Sequence, residues 1–155
     1  MAELKYTGNI VTEDFMPKVS PMPPEMTVMI EEQEKADNII DRTMMFAIQD
    51  SIVKGSFFMG CEWVWCVKRD GVQTETAHNH DCDEIIGFVG SRKENTRELN
   101  GEIELWIEDE KYLLTKSCLI FIPAGTKHCP LIFRRVESPI FMFESANNTF
   151  DDKLK

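Results

Sequence analysis

Short strand-like runs, separated by turn signals, dominate the sequence from about residue 43 to residue 148. In the run EIELWIE, glutamate alternates with apolar or aromatic residues, and this period of two is typical of a half-exposed strand. Asp70-Gly71 and Asn100-Gly101 are dipeptides that favour tight turns between strands. No long amphipathic helix follows residue 45. The pattern therefore predicts an all-β sandwich or barrel, built from the runs SFFMGCEWVWCVK, EIIGFVG, EIELWIE, EKYLLT, CLIFIP, CPLIF and SPIFMFES.

Residues 1–42 differ from the rest of the chain. The segment MPKVSPMPPEM places four of the seven prolines within eight positions, from Pro17 to Pro24. Because proline lacks a backbone donor, this part predicts extended chain or loop. The stretch EEQEKADNII favours a short helix. Two interpretations remain: an arm that packs on the domain or on a partner subunit, and a partly mobile terminus. The expected organisation is an arm at 1–42, a domain at 43–150 and a tail at 151–155.

The charge of the chain excludes some partners. The formal net charge at pH 7 is −10. Nucleic-acid binding usually requires a basic patch, and anionic lipid attracts basic segments rather than acidic ones. No stretch is long and apolar enough to span a membrane. We therefore expect neither a nucleic-acid nor a membrane partner.

The cysteines indicate a reducing environment. There are five of them, an odd number, and no two have the C-x-x-C spacing. The opening MAELKYTGNIVTEDF lacks the apolar core of a secretory leader. Free thiols and a cytoplasmic location are the expectation.

Two of the three histidines stand in the stretch AHNHDCDEIIG. On a strand, His78 and His80 would project to the same side, roughly 7 Å apart along the chain. The segment DCD can turn the chain, and Glu84 would begin the return strand. Two imidazole nitrogens and one carboxylate oxygen on one face are a suitable donor set for a divalent metal.

The third histidine follows a turn signal in FIPAGTKHCP. Proline presets one turn angle and glycine tolerates a positive φ, so Pro123 to Gly125 predicts a tight turn. His128 would then lie on the returning strand. It could join the other candidate ligands if the two hairpins are neighbours.

Together these two motifs resemble those of the cupin superfamily. His78-x-His80-x-x-x-Glu84 is similar to the first cupin motif, and Pro123-x-Gly125-x-x-His128 to the second. The resemblance covers roughly residues 43–148. Ser117-Cys118 stands where a Gly-Asp turn is common, and Ile132 stands where asparagine is common. These departures affect turns and the barrel wall rather than the four candidate ligands.

The resemblance implies a fold and a site. The fold would be a cupin-type double-stranded β-helix, a small jelly-roll barrel with an N-terminal arm. The site would hold one divalent transition metal through His78, His80, Glu84 and His128. Cupins often pair through their outer strands, so the resemblance also implies a homodimer, with the proline-rich arm as a candidate part of the interface.

The donor set leaves the metal and its use open. Sites of this kind suit Fe, Mn, Co, Ni, Cu or Zn. One hypothesis is an enzyme, a dioxygenase or an isomerase, whose metal orients and polarises a small oxygenated molecule. A second is a metal- or ligand-binding module without chemistry, such as a sensor. A third is a structural metal in a scaffold.

Other residues are weaker candidates. Trp63 and Trp65 share a face of their strand, and we expect core packing rather than a ligand-binding wall. Cys82 and Cys129 adjoin candidate ligands, and strand alternation predicts that Cys129 faces away from the metal. The remaining pair, Arg134 and Arg135, is expected on the surface.

Overall fold

The computed structural model describes residues 5–13, 22–69 and 71–147 of the chain. A short 3₁₀ helix spans Thr7–Asn9, and an α-helix, α1, spans Pro24–Lys35. Nine strands follow within the described ranges: β1 Ile40–Ile48, β2 Phe58–Val67, β3 Val72–Glu75, β4 Glu84–Gly90, β5 Glu98–Ile107, β6 Glu110–Lys116, β7 Cys118–Ile122, β8 His128–Val136 and β9 Ile140–Ala146. Within the described ranges, no helix has both the length and the apolar character needed to cross a membrane.

The strands form two antiparallel sheets packed face to face. One sheet has the order β1-β2-β9-β4-β7, and the other has the order β3-β8-β5-β6. Among the described strands, the chain stays in one sheet only from β1 to β2 and from β5 to β6, and it changes sheet at each of the other six connections. This repeated crossing gives a jelly-roll of two antiparallel sheets. The all-β fold predicted from the sequence is confirmed as two packed antiparallel sheets.

The core lies between the inner faces of the two sheets. In β4, Ile86 and Phe88 point inward and are buried, whereas Ile85 and Val89 point outward and are exposed. Phe88 meets Phe133 of the opposite sheet edge-to-face, with ring centroids 6.2 Å apart. Period-two alternation in the sequence therefore produces the inner and outer faces directly.

One predicted turn lies inside a strand instead. The dipeptide Asn100-Gly101 belongs to β5, where Asn100 has a φ of 50° and the pairing with β6 shifts register. A Cβ on Gly101 would lie 2.5 Å from the carbonyl oxygen of Arg135. The dipeptide therefore forms a bulge, for which the same left-handed and glycine-compatible geometry is needed as for a turn.

The described part of the N-terminal segment packs against the sandwich. The Gln33 amide donates to the carbonyl of Gln73 and accepts from its N–H, both at 2.8 Å, and thereby continues the hydrogen bonding of edge strand β3. Asn38 donates to the carbonyl of Gly71 at 2.8 Å. The predicted helical stretch EEQEKADNII is helical only as far as Lys35, and β1 begins at Ile40. Pro17, Pro21, Asp70 and the tail 151–155 lie outside the described residues.

Candidate metal centre

The first motif lies on the loop by which the chain crosses from one sheet to the other. β3 pairs with β8, whereas β4 pairs with β7 and β9. Glu84 begins β4 as predicted, but β4 is not the return strand of a hairpin with β3. The prediction that His78 and His80 lie on a strand is also wrong, because only His78 forms a bridge, with His128. A segment between two sheets cannot pair continuously with either.

The second motif forms the predicted turn and is tied to the first motif. Thr126 N–H donates to the carbonyl of Pro123 at 3.1 Å, and Gly125 has a φ of 81°. Gly125 N–H donates to the carbonyl of His80 at 2.7 Å. His128 then begins β8, and its backbone exchanges two hydrogen bonds with His78, at 3.0 and 2.9 Å. These backbone contacts bring the two motifs together.

Three of the four predicted ligands converge inside the sandwich. Nε2 of His80 and Nε2 of His128 each lie 3.1 Å from Oε2 of Glu84. One candidate ligand atom from each residue lies within 4.8 Å of the other two. Their exposed fractions are 6% for His80, 4% for Glu84 and 1% for His128. The site is therefore a buried cluster of two imidazoles and one carboxylate.

The fourth predicted ligand stands beside this cluster. The ring centroid of His78 lies 4.3 Å from that of His128 and 5.9 Å from that of His80. Its ligand atom is grouped within 4.8 Å of those of His128 and Cys129, rather than with Glu84. His128 therefore belongs to both groups and connects them.

Backbone carbonyls orient all three imidazole rings. Nδ1 of His78 lies 2.7 Å from the carbonyl oxygen of Thr76. The corresponding distances are 2.8 Å from His80 to Cys82 and 2.9 Å from His128 to Thr126. Because a carbonyl oxygen only accepts hydrogen bonds, Nδ1 must carry the proton in each ring. A neutral ring then presents an unprotonated Nε2, which is the form that binds a metal.

The local electrostatics reflect this crowding. Burial opposes the ionisation of Glu84, but the neighbouring His128 and His80 rings hold its pKa below the usual value. Burial alone would lower the pKa of His128, whereas Glu84 raises it above the usual value. The pKa of His78 is lowered, chiefly by burial. The cluster thus favours an ionised carboxylate that faces a positive charge.

This arrangement fits a bound cation. Two unprotonated Nε2 atoms facing one carboxylate oxygen at 3.1 Å would place three acceptors together. The contact of His128 with Glu84 has the distance of an ion pair but not the direction of a hydrogen bond. Nε2 of His128 consequently has no hydrogen-bond partner among the described residues. A positive charge among these atoms, either a proton or a metal ion, removes the repulsion.

Three further carboxyl groups lie on the inner side of the strands near the cluster. Burial raises the pKa of Glu62, and it raises the pKa of Glu75 to about 7. Burial also raises the pKa of Glu144 well above its usual range. Sequence reasoning missed all three. The sequence could have shown them as glutamates at inward positions of a strand. Glu144, for example, alternates with the buried residues Met142 and Ala146 of β9.

Two expectations about other residues are wrong. Cys129 does not face away from the site, because its φ of 66° breaks the alternation at the start of β8. Trp63 and Trp65 are not core residues. They stack with ring centroids 5.5 Å apart on the outer face of β2, where Trp65 is 40% exposed.

The expectation of a surface role for the two arginines is confirmed. Arg134 pairs with Glu104 at 2.7 Å on the outer face of its sheet. Arg135 pairs with Glu137, and both side chains are about half exposed.

Comparison with known proteins found similarity to solved structures. No family model matches the chain, and no curated protein matches it. Among solved structures, KdgF from Halomonas sp. shares 21% identity over 70% of this chain and 80% of its own, with a TM-score of 0.44. A cupin superfamily protein from Desulfitobacterium hafniense shares 13% sequence identity over 72% of this chain and 80% of its own, with a TM-score of 0.43. EutQ from Clostridium difficile shares 15% sequence identity over 77% of this chain and 70% of its own, with a TM-score of 0.41.

Proposed function

We propose that the chain is a metal-dependent cupin that binds one divalent transition metal through His78, His80, Glu84 and His128. The observation that carries the proposal is the common orientation of the three rings. Each Nδ1 is fixed by a backbone carbonyl, and two of the Nε2 atoms lie 3.1 Å from one carboxylate oxygen. Three nitrogens and one oxygen suit Fe, Mn, Co, Ni, Cu or Zn.

The proposed activity is the conversion of a small oxygenated molecule, as a dioxygenase or an isomerase. When bound, the metal would supply a Lewis acid that orients and polarises an oxygen of the substrate. The protein would supply a buried setting, rings held by Thr76, Cys82 and Thr126, and nearby carboxyl groups. Among these, Glu75 has a pKa of about 7 and can therefore hold or release a proton near neutral pH.

The test begins with protein purified without added metal. We expect elemental analysis to find one transition-metal equivalent per chain. Anaerobic reconstitution with Fe(II) should then give oxygen consumption with one member of a panel of small hydroxy and keto compounds, or isomerisation without oxygen uptake. Metal binding without turnover across the panel would identify the alternative, a non-catalytic metal- and ligand-binding module. A chain that takes up no metal would contradict both.

We further propose that the chain works as a homodimer through the outer face of the five-stranded sheet. Leu119 and Phe121 of β7 are 70% and 61% exposed, and Phe121 lies opposite the exposed Ile85 of β4. Trp63, Phe141 and Phe143 continue this apolar face across β9 and β2, with ring centroids 5.2 and 6.3 Å apart. A contiguous exposed apolar face of this kind marks an interface, and a second copy of the same face would cover it.

The oligomeric state tests this interface. Sedimentation of the wild-type chain should give a dimer, and Leu119→Glu should give a monomer because it places a charge in the apolar contact. Leu113→Glu is the matched control, since Leu113 is a 53% exposed leucine on β6 of the other sheet. A monomeric wild type, or equal effects of the two substitutions, would refute the proposed interface.

The free thiols support a reducing compartment, and we propose the cytoplasm. None of the five cysteines, all within the described residues, forms a disulfide. Three of them, Cys61, Cys82 and Cys129, are buried, and Cys82 and Cys129 adjoin the candidate ligands.

A further inference from the structure

A cavity lies at the edge of the sandwich, and its lining does not include the three histidines. Helix α1 lies beside edge strands β1 and β3, and the three elements line a partly open cavity of about 260 Å³. Its apolar lining includes Ile30 of α1, Ile40 of β1 and Val72 of β3. Its polar lining includes Asn38, Arg42 and Thr74. The volume is slightly below the roughly 300–1,000 Å³ that is typical of small-molecule sites.

Arg42 contributes a guanidinium group with few partners. Its side chain is only 22% exposed, and its one ion pair within the described part of the chain joins Nη1 to Oε2 of Glu62 at 3.6 Å. No hydrogen bond joins Arg42 to the described residues. Arginine carries five N–H donors, and a desolvated guanidinium without acceptors is costly. The charges of Glu62, Glu75 and Glu144 also act on Arg42. Within the described residues, however, none of them forms a hydrogen bond with it, so its N–H donors can serve a molecule in the cavity.

The partner of Arg42 does not satisfy it fully. Glu62 is 6% exposed, and burial raises the pKa of its carboxyl although Arg42 lowers it. The separation of 3.6 Å is too long for a charge-assisted hydrogen bond, which is normally 2.7–2.9 Å. The two groups attract each other without the geometry that would fix the guanidinium.

A buried hydroxyl lines the same cavity. Thr74 is 3% exposed, and its Oγ1 has no hydrogen-bond partner within the described residues. Asn38 donates to Gly71, but its Oδ1 is likewise buried and without a partner in that part of the chain. Buried polar atoms are nearly always hydrogen-bonded. The guanidinium of Arg42 and the hydroxyl of Thr74 line the same cavity, and both can donate to an anionic ligand.

We propose that this cavity binds a small monocarboxylic acid, with its carboxylate on Arg42 and Thr74 and its apolar part against Ile30, Ile40 and Val72. A planar guanidinium holds a carboxylate through two parallel hydrogen bonds, which an ammonium group cannot do. Glu31 and Glu34 also line the cavity and are exposed. Their charges disfavour a second carboxylate on the ligand. The site goes beyond the metal centre and does not depend on it.

The test is a calorimetric titration of the full chain in the presence of EDTA. Butyrate, isovalerate and benzoate are each compared with the corresponding primary amide and with succinate. At least one monocarboxylate should bind, and its amide and succinate should bind at least about 10-fold more weakly. Absence of binding by all three acids, or equal binding of acid and amide, would overturn the proposal. Binding that requires added metal would also overturn it, because it would place the acid at the histidine cluster.

Substitutions locate the site. Arg42→Gln should weaken binding of the acid about 10- to 100-fold, since it removes the charge-assisted pair, and Thr74→Val should weaken it several-fold. Arg135→Gln, at an exposed arginine, makes the same change of charge and should have no effect. If Arg42→Gln fails to fold because Glu62 loses its partner, the double variant Arg42→Gln/Glu62→Gln removes both charges and should also lose binding. Wild-type affinity in either variant would refute the proposal. Retained binding in His80→Ala separates this site from the metal centre.

Discussion

Replacement of His128 by alanine is expected to lower the affinity of the chain for a divalent transition metal at least about 100-fold. Substitution of residues that only orient a ligand costs 10- to 100-fold, and His128 is itself a candidate ligand. Its ring centroid is 4.3 Å from that of His78 and 5.0 Å from that of His80. Its Nε2 lies 3.1 Å from Glu84. It is the residue that connects the two groups of candidate ligands.

The measurement is a competition titration of Co(II) or Zn(II) against a chelator, together with thermal melting. In the wild type, metal at about 1,000 times its dissociation constant should stabilise the fold by about 4 kcal/mol. His128→Ala should show almost none of this stabilisation. Asn79→Ala is the control, because Asn79 is exposed and lies between His78 and His80. Equal metal affinity in wild type and His128→Ala would place the metal elsewhere or exclude it.

The strands and the candidate ligands were predictable because their signals are local. The alternation in EIELWIE and the inward pair Ile86 and Phe88 follow from the period of a strand, whatever its partners. The turn at Pro123 to Gly125 has its own chemistry, and it fixes where β8 begins at His128. The order of the motifs was therefore enough to predict three side chains that converge in the structure.

The pairing of the strands was not predictable in the same way. Whether β4 returns beside β3 or crosses to the other sheet depends on Glu84 meeting Ile122 and Ala146, which are distant in sequence. Asn100-Gly101 has the same local preference in a bulge as in a turn. Pairing with β8 across the sheet decides between them.

The polar interior was missed for a related reason. Arg42 and Glu62 look like ordinary strand residues, and only the pairing of β1 with β2 brings them within 3.6 Å of each other inside the fold. The error at Cys129 arose from assuming strict alternation at a residue whose φ is 66°. Local pattern gives the face of a residue only where the strand is regular.

Among the glycines of the described strands, Gly90 is expected to be the one at which alanine destabilises the fold most. Gly90→Ala should lower the free energy of unfolding by about 3 kcal/mol. A Cβ at Gly90 would lie 2.1 Å from the carbonyl oxygen of Glu98 and 3.0 Å from its carbonyl carbon. Those atoms belong to the backbone where β5 begins, so they cannot rotate aside as a side chain can. Gly87 offers a contrast, because a Cβ there would meet the ring of Phe143, a side chain on the outer face.

Chemical denaturation of Gly90→Ala, Gly8→Ala and the wild type measures this effect. Gly8→Ala is the matched control, since nothing lies within 4 Å of a Cβ at Gly8 and the residue is exposed. Its unfolding free energy should change by less than about 0.5 kcal/mol. The midpoint for Gly90→Ala should fall while the slope with denaturant stays constant, which indicates loss of stability in an otherwise unchanged fold. If Gly90→Ala is as stable as Gly8→Ala, β4 does not approach the start of β5 as closely as the structure has it. That result would also contradict the crossing between the sheets that places Glu84 on the inner face.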